Sequence, residues 1–416
     1  MANSSDISEN LLLQDYGPTV CMNLLKDHTS QKKIYWATDS YVSYGKGFGV
    51  KDPITKELIT SYVSDDGTVV KKKSYDRIIA KNPEEKSRYQ EIIRPRALKS
   101  KEEQTKRAKD KAEVFTPSWI CNAQNNLIDE AWFGRTDHLF NEPLKDNPKK
   151  WKNNYKKIRF PNTPGKTWKD YVADIRLEIT CGEAPYLANR YDTVTGEYQK
   201  SVKYRIGILD RKLRIVTENV KDPEKWIVWA KIALRSTYGF EFQGDNLLLA
   251  RESLFLTFEE HFLAAFDQEK YDELEVRKKH MPLVSYIVSW NIWQMNGLTY
   301  GFPCYEEETK AYVTALEKYR KELADYEKKL KQFEEEKKGS LFESEDTKPN
   351  LDKPVPPVAQ GFAGFCVIKD FFYRIPTKDD PSDRINIHAE NVDALFHDGK
   401  APRVTFESLV NKKNKL

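Results

Sequence analysis

The chain has 416 residues, more than one compact core of about 250–300 residues holds, so two lobes or one domain with large insertions are expected. Charged residues make up 32% of it and aromatics 12%, with 68 Lys+Arg against 64 Asp+Glu and a net charge of +4. The 22 Tyr, 20 Phe and 9 Trp are too many for a disordered chain, and collagen-like, low-complexity and disulfide-scaffold classes are excluded. Cysteines 21, 121, 181, 304 and 366 are widely spaced and never CxxC, which fits a reducing cytoplasm rather than a stapled secreted fold or a zinc site. The polar start Met1–Leu13 lacks the apolar core of a signal peptide. The longest apolar stretch, near Pro282–Trp293, is too short to span a bilayer. A soluble cytoplasmic protein with no membrane and no metal partner is expected.

In chain order, Lys33–Thr38 reads as a short strand, followed by a turn-rich GKGFG stretch with no helix behind it to make a phosphate loop. Lys71–Lys111 is strongly basic, and residues 84–112 lack an apolar stripe, as in a solvent-facing helix or a basic strap. Arg94, Arg96, Lys99, Lys106, Arg107 and Lys109 are the candidate phosphate contacts there, since each neutralised phosphate releases counterions. A second basic run covers Lys149, Lys150, Lys152, Lys156, Lys157 and Arg159. From Glu113 the character changes. Ile120, Ala123, Leu127, Ile128 and Ala131 recur at helical spacing behind Thr116 as a cap and Pro117 in the first turn.

Three strands are expected next: Ile175–Ile179 with a tight turn Thr180–Pro185, Tyr204–Leu209 ending at Asp210, and Phe240–Asp245. A helix over Lys225–Thr237 separates the last two, and a helix start falls at Tyr186. This alternation predicts an α/β fold with a largely parallel sheet. Residues 281–298 are apolar and Trp-rich, and Glu306–Lys338 is a charged helix with Tyr312, Leu316, Tyr319, Leu323, Tyr326, Leu330 and Phe333 along a narrow seam suited to a helical hairpin or a partner helix. A polar, proline-bearing link over 340–357 and a last strand at Phe365–Ile368 complete the chain.

The chemistry gathers at the strand ends, where open α/β sheets bind cofactors. Acids often cap turns at such places, but together Glu178, the Thr180–Pro185 turn, Asp210 and Asp245 describe a pocket for an adenosine-containing cofactor.

Here the chain resembles the N6-adenine DNA methyltransferases of restriction-modification systems. Val114-Phe-Thr-Pro117 is similar to the family's FTP segment, which folds over the methionine end of S-adenosylmethionine. Leu177-Glu-Ile-Thr-Cys-Gly-Glu-Ala-Pro-Tyr-Leu187 looks like its LEPSCGDGAFL motif, and Gln243-Gly-Asp-Asn-Leu247 like its GD motif. The resemblance implies a Rossmann-like methyltransferase core at 113–300, a basic N-terminal region at 1–112, a helical insertion and linker at 301–360, and a C-terminal strand completing the core within 361–416. It also implies S-adenosylmethionine held by Phe115, Thr116, Pro117, Glu178, Cys181, Gly182, Asp210, Asp245 and Asn246, and double-stranded DNA as the partner.

Two departures stand out. The family's second glycine is Ala184, and its catalytic Pro-Pro-aromatic tetrapeptide is missing, the only Pro-Pro lying in the linker at 356–357. In Ser289–Gly297, Asn291 is the candidate acceptor for the target amine and Trp293 or Trp290 the stacking ring, against the alternative of a buried aromatic helix. Expected functions are therefore a site-specific adenine-N6 DNA methyltransferase in a restriction-modification or phage-defence setting, or a catalytically impaired methylase-fold DNA-binding or interaction subunit. Nuclease centres at His388/Asn391/His397 or in Asp267–Lys279 are weaker matches.

Overall fold

The computed structural model describes residues 9–26, 28, 61–63, 69–71, 93, 95–111, 113–295, 297, 305–338, 354, 368–374, 376 and 382–404. The expected strand at Lys33–Thr38, the GKGFG turn, the 356–357 dipeptide and most of Phe365–Ile368 lie outside these residues.

Helices are α1 (Glu9–Leu24), α2 (Lys101–Lys111), α3 (Ser118–Phe133), α4 (Trp168–Ala173), α5 (Ile208–Asn219), α6 (Pro223–Arg235), α7 (Gly244–Glu273), α8 (Val276–Lys279), α9 (Met281–Asn291) and α10 (Tyr305–Lys338). Strands are β1 (Ser61–Val63), β2 (Val69–Lys71), β3 (Asn141–Pro143), β4 (Trp151–Asn153), β5 (Arg176–Ile179), β6 (Thr237–Glu241), β7 (Ile292–Gln294), β8 (Ile368–Lys369) and β9 (Arg403–Val404). The central sheet is β5-β6-β7, all parallel, with Glu178 opposite Gly239 and Glu241 opposite Gln294. β1–β2, β3–β4 and β8–β9 are separate antiparallel pairs.

Between β5 and β6 the chain makes a turn, a hairpin around Gly196, and then α5 and α6. The hairpin pairs Tyr191 with Tyr198. The expected strand ending at Asp210 is instead the start of α5. Leu209, Leu213 and Val216, all buried, fall on one helical face, while the alternation of Ile206 and Ile208 just before mimics a strand. The expected third strand begins three residues earlier, at Thr237. α6 ends at Arg235 and Ser236 back-bonds to Ile232, so the sheet is entered with almost no loop. Asp245 thereby moves from a strand end to the first turn of α7. No helix starts at Tyr186, where the N–H groups of Leu187 and Ala188 bond back to Ala184 in a turn.

The divisions expected from sequence give way in two places. α1 is no part of a separate basic region: Leu12, Val20, Cys21 and Leu24 join the common core, and Asn23 donates to Pro282 O and Ser285 Oγ of α9. Arg251 of α7 is buried and donates to Leu24 O and Lys26 O at the end of α1 and to Ser289 O and Ile292 O at the end of α9. A cation at two helix C-termini also suits their dipoles. β8 pairs with β9 rather than extending the parallel sheet, although Ile368 is fully buried in the same core. On α10, Tyr319, Leu323, Tyr326, Leu330 and Phe333 are partly covered while the side chains described between them are almost all exposed, the expected seam. No helix among the described residues is long and apolar enough to cross a membrane.

Candidate cofactor cleft

A cleft of ≈ 500 Å³ opens at the carboxyl end of β5, lined among others by Phe115, Thr116, Asn125, Glu178, Gly182 and Tyr186. Its volume lies within the roughly 300–1,000 Å³ typical of small-molecule sites. The floor is the turn after β5, where Thr180, Gly182 and Ala184 have φ of 62°, 57° and 64°. Left-handed backbone at non-glycine residues costs about 1–2 kcal/mol each and gathers at functional turns. Two hydrogen bonds hold the turn: Cys181 N–H donates to Phe240 O at 2.7 Å and Gly182 N–H to Glu241 Oε2 at 2.8 Å.

The FTP segment closes over this floor. A Cβ on Gly182 would lie 3.3 Å from the Phe115 ring, so the ring and the glycine backbone are in direct contact. Thr116 O accepts from Thr193 Oγ1 of the Gly196 hairpin, and Pro117, rather than Thr116, is the residue that caps α3. At the rear, Asn125 donates to Tyr186 O and Ile206 O and leaves its own Oδ1 buried without a partner. Glu178 Oε2 is likewise covered and unpartnered, and burial with the Glu241 charge beside it pushes the Glu178 carboxyl well above the usual range. From the far side, a Cβ at Gly297 would come within 2.2 Å of the Ile179 side chain, so the chain leaving β7 passes directly over the end of β5.

Beside the cleft lies a nest of acids and cations. Arg107 of α2 forks onto Glu113 at 2.6 and 2.8 Å and reaches Asp245 at 3.1 Å. Asn246 supports both Glu113 and Glu241 through its side chain and leaves Oδ1 without a partner. Glu183, fully buried, accepts from Arg96 N–H and Tyr191 Oη. Burial raises its pKa to about 7 against the opposing pull of Lys99 and these two donors. Lys99 Nζ is buried without a hydrogen-bond partner. Burial pushes the Glu241 carboxyl up too, partly offset by the N–H groups of Gln243 and Gly182.

Phe115, Thr116, Glu178, Cys181 and Gly182 therefore meet at the cleft, with Pro117 at its edge and Asp245 and Asn246 in the adjoining nest. The Cys181 thiol itself is fully buried: a Cβ at Gly239 would lie 3.0 Å from its Sγ. Asp210 is elsewhere. It is buried in α5, accepting from Asn189 N–H and bonded to His261 Nε2, where it ties the turn to the helix. The acid at the end of the second parallel strand is Glu241, in Tyr238-Gly-Phe-Glu241, hidden from sequence reading by the misplaced strand. Glu113 and Asn125 also lacked a motif, and Glu183, although inside the Leu177–Leu187 segment, had no role assigned to it.

Asn291 and Trp293 do not reach the cleft. Asn291 Nδ2 donates to Leu234 O and Thr237 O at the amino end of β6, the opposite sheet edge, and Trp293 is 1% exposed with its Nε1 on Trp290 O. The core alternative holds for this segment, which is α9 followed by β7. Of the basic candidates, Lys99 and Arg107 face inward, Arg96 lies over the Phe115 ring at 5.5 Å, and Lys109 is exposed. Arg94 and the Lys106 side chain lie outside the described residues. His388 bonds to Asp170, and Lys270–Glu273 and Lys279–Glu275 are exposed helix pairs. Among the described residues no group of three His, Cys, Asp or Glu could hold a metal ion.

No protein-family model matches the chain, and comparison with the curated proteins and with the solved structures returns no match.

Proposed function

We propose that the cleft binds S-adenosylmethionine and that the protein is a methyltransferase-fold protein acting on DNA, with adenine N6 as the target atom and a restriction-modification or phage-defence role. The observation that carries this reading is the convergence, on one sheet edge, of the FTP ring, the left-handed turn after β5 and Glu241 at the end of the neighbouring parallel strand. The fit of the residues supports it. Unpartnered Glu178 Oε2 and Asn125 Oδ1 border the cleft, and Gly182 lets the Phe115 ring lie directly against the turn. Phe115 and Thr116 would cover the methionine end, Glu241 would take the ribose hydroxyls, and Asn246 would meet the adenine.

Bound there, S-adenosylmethionine would supply an electrophilic methyl group. The chain's own task is to align an amine in line with it and to exclude water, for which no strong general base is required. Asn291 takes no part in this reading. A second reading, a methylase-fold binding subunit without transfer activity, is favoured by that missing acceptor and by Arg107 and Lys99 packed against the acids beside the cleft.

Calorimetry with S-adenosylmethionine, then labelled methyl transfer to mixed-sequence DNA, tests both. Binding that is weakened in Glu241→Gln, followed by transfer, supports the enzyme. Binding without transfer supports the second reading, and absence of binding overturns both.

A further inference from the structure

The second basic run folds into an anchored platform. β3 and β4 form a hairpin, with Leu144 N–H bonded to Lys150 O near its tip. Its base is fixed by Asn141, which exchanges hydrogen bonds at 2.8 Å with Asn122 of α3, and by Asn154 Nδ2, which donates to Leu139 O. Asn122 in turn accepts from Arg211, itself paired with buried Asp129. The platform is therefore tied to the interior while Lys149, Lys150, Lys152, Lys156 and Lys157 are exposed. None of these five forms an ion pair among the described residues, and only Glu142 and Asp146 oppose them on the hairpin. Lys149 Nζ lies 6.0 Å from the ring centre of Trp119, on the first turn of α3 just after the FTP segment, so the hairpin tip borders the cleft side of the molecule.

Beyond the lysines stand two exposed rings. Tyr155 is 62% and Tyr204 51% exposed, and they meet edge to face at 6.3 Å. Tyr155 forms one wall of a hollow of ≈ 260 Å³ whose other sides include Lys203, Arg214, Thr217 and His261. That is smaller than the roughly 300–1,000 Å³ of drug-sized ligand sites and suits a single ring system. His261 is held by Asp210, which gives that buried acid its place in the molecule. Single aromatic residues at a surface are ordinary. Here a ring pair and a ring-sized hollow adjoin a row of unpaired cations, the combination by which proteins hold a polynucleotide.

We propose that this face binds a nucleic-acid strand, with phosphates along the β3–β4 lysines and an unpaired base in the hollow against Tyr155. The proposal moves the expected phosphate contacts from α2 to the hairpin. It rests on the reading above only for DNA as the partner.

The test is fluorescence anisotropy with the full chain and no S-adenosylmethionine, so its outcome is independent of methyl transfer. The probes are a labelled blunt duplex, the same duplex with a single-stranded overhang, the single strand alone, and anionic phospholipid vesicles. Combined Lys149→Ala, Lys150→Ala and Lys152→Ala should lower the log–log salt slope by about 2–3, at roughly 0.7–0.9 for each phosphate no longer neutralised. Tyr155→Ala should weaken overhang and single-strand binding by about 5- to 100-fold and leave the blunt duplex nearly unchanged, while Tyr155→Phe keeps its affinity. Exposed Lys101→Ala with Lys109→Ala is the control and should bind like the parent. Thermal unfolding of each variant separates a weakened binding face from a damaged fold. Hairpin variants that bind normally, a loss that follows the α2 variant instead, or vesicles bound as tightly as DNA and through the same lysines would overturn the proposal. An overhang bound no better than the blunt duplex would remove the hollow from it.

Discussion

The N–H of Gly182 points at the Glu241 carboxylate across 2.8 Å, joining the turn after β5 to the end of β6. A ligand that drew on either partner would meet the other, because this bond lies where the parallel strands open beside the cleft. The turn it holds is built from left-handed residues, and each responds differently to substitution.

Ala184 carries a Cβ at φ 64°, where glycine is the relaxed choice. Ala184→Gly should relieve about 1–2 kcal/mol of backbone strain against about 0.5–1 kcal/mol of added chain entropy and about 0.8 kcal/mol for its fully buried methyl group. Thermal unfolding should show a midpoint close to the parent's, although a core methyl is lost. Gly182→Ala should lower the midpoint, since its φ of 57° becomes strained and the new methyl meets Phe115 at 3.3 Å. A loss of about 1.5 kcal/mol or more in Ala184→Gly, the full sum of the burial and entropy terms, would contradict the strain assignment.

Glu183 predicts a pH dependence. Burial raises its folded pKa to about 7 from 4.5, so the folded state holds a proton that the unfolded chain has released. Stability from this group is greatest below 4.5 and falls as pH rises to 7, by on the order of 3 kcal/mol in all. Urea unfolding of Glu183→Gln at pH 5 and pH 8 should show a smaller change than the parent between the same two points.

The Arg107 fork predicts the reverse limb. Burial opposes ionisation of Glu113, but the Arg107 hydrogen bonds and the charges of Lys99 and Arg107 outweigh it and hold the carboxyl low. That contribution is present above 4.5 and is lost as pH falls through the depressed folded value. Arg107→Gln takes away the guanidinium shared by Glu113 and Asp245, each with 2% side-chain exposure. A loss of about 3–5 kcal/mol at pH 7 is expected, narrowing toward pH 4 as Glu113 takes up a proton. A variant whose deficit stayed constant with pH would show that the charge pairing is unimportant.

Asn291→Ala removes two buried bonds, at 2.7 and 3.0 Å, from the junction of α6 and β6. It should cost about 1–3 kcal/mol of stability. The affinity of the folded variant for S-adenosylmethionine should not change. A selective loss of methyl transfer at unchanged stability would return Asn291 to the active centre.

Local patterns carried α3, α6, α10 and the first parallel strand, but not α1, α5 or α7. β5, α3 and α6 lay where periodicity placed them, because each has a clear apolar rhythm and a proline or glycine near its boundary. The second parallel strand was misplaced for a physical reason. Ile206-Gly-Ile208 alternates like a strand, but its residues belong to the entry of α5, whereas β6 follows α6 without the turn residues that normally advertise a strand. That single shift moved the strand-end acid from Glu241 to Asp210. The tight part of the site was legible because FTP and the turn after β5 are contiguous motifs. The inward fork of Arg107 was not, since a charged helix without an apolar stripe gives no signal that one of its cations faces a buried acid 138 residues away.

Arg251 gathers the carbonyl ends of α1 and α9 from its place on α7. The carboxyl end of α1 is therefore stitched to α7 and to the strand that follows α9. A protein trimmed to residues 113–300 would expose the surface on which Val20 and Leu24 pack and strand a guanidinium in the interior without its α1 acceptors. The catalytic-looking segment is not a module that can be lifted out. Inheritance, exchange or engineering of this fold has to move the N-terminal helix and the core as one piece.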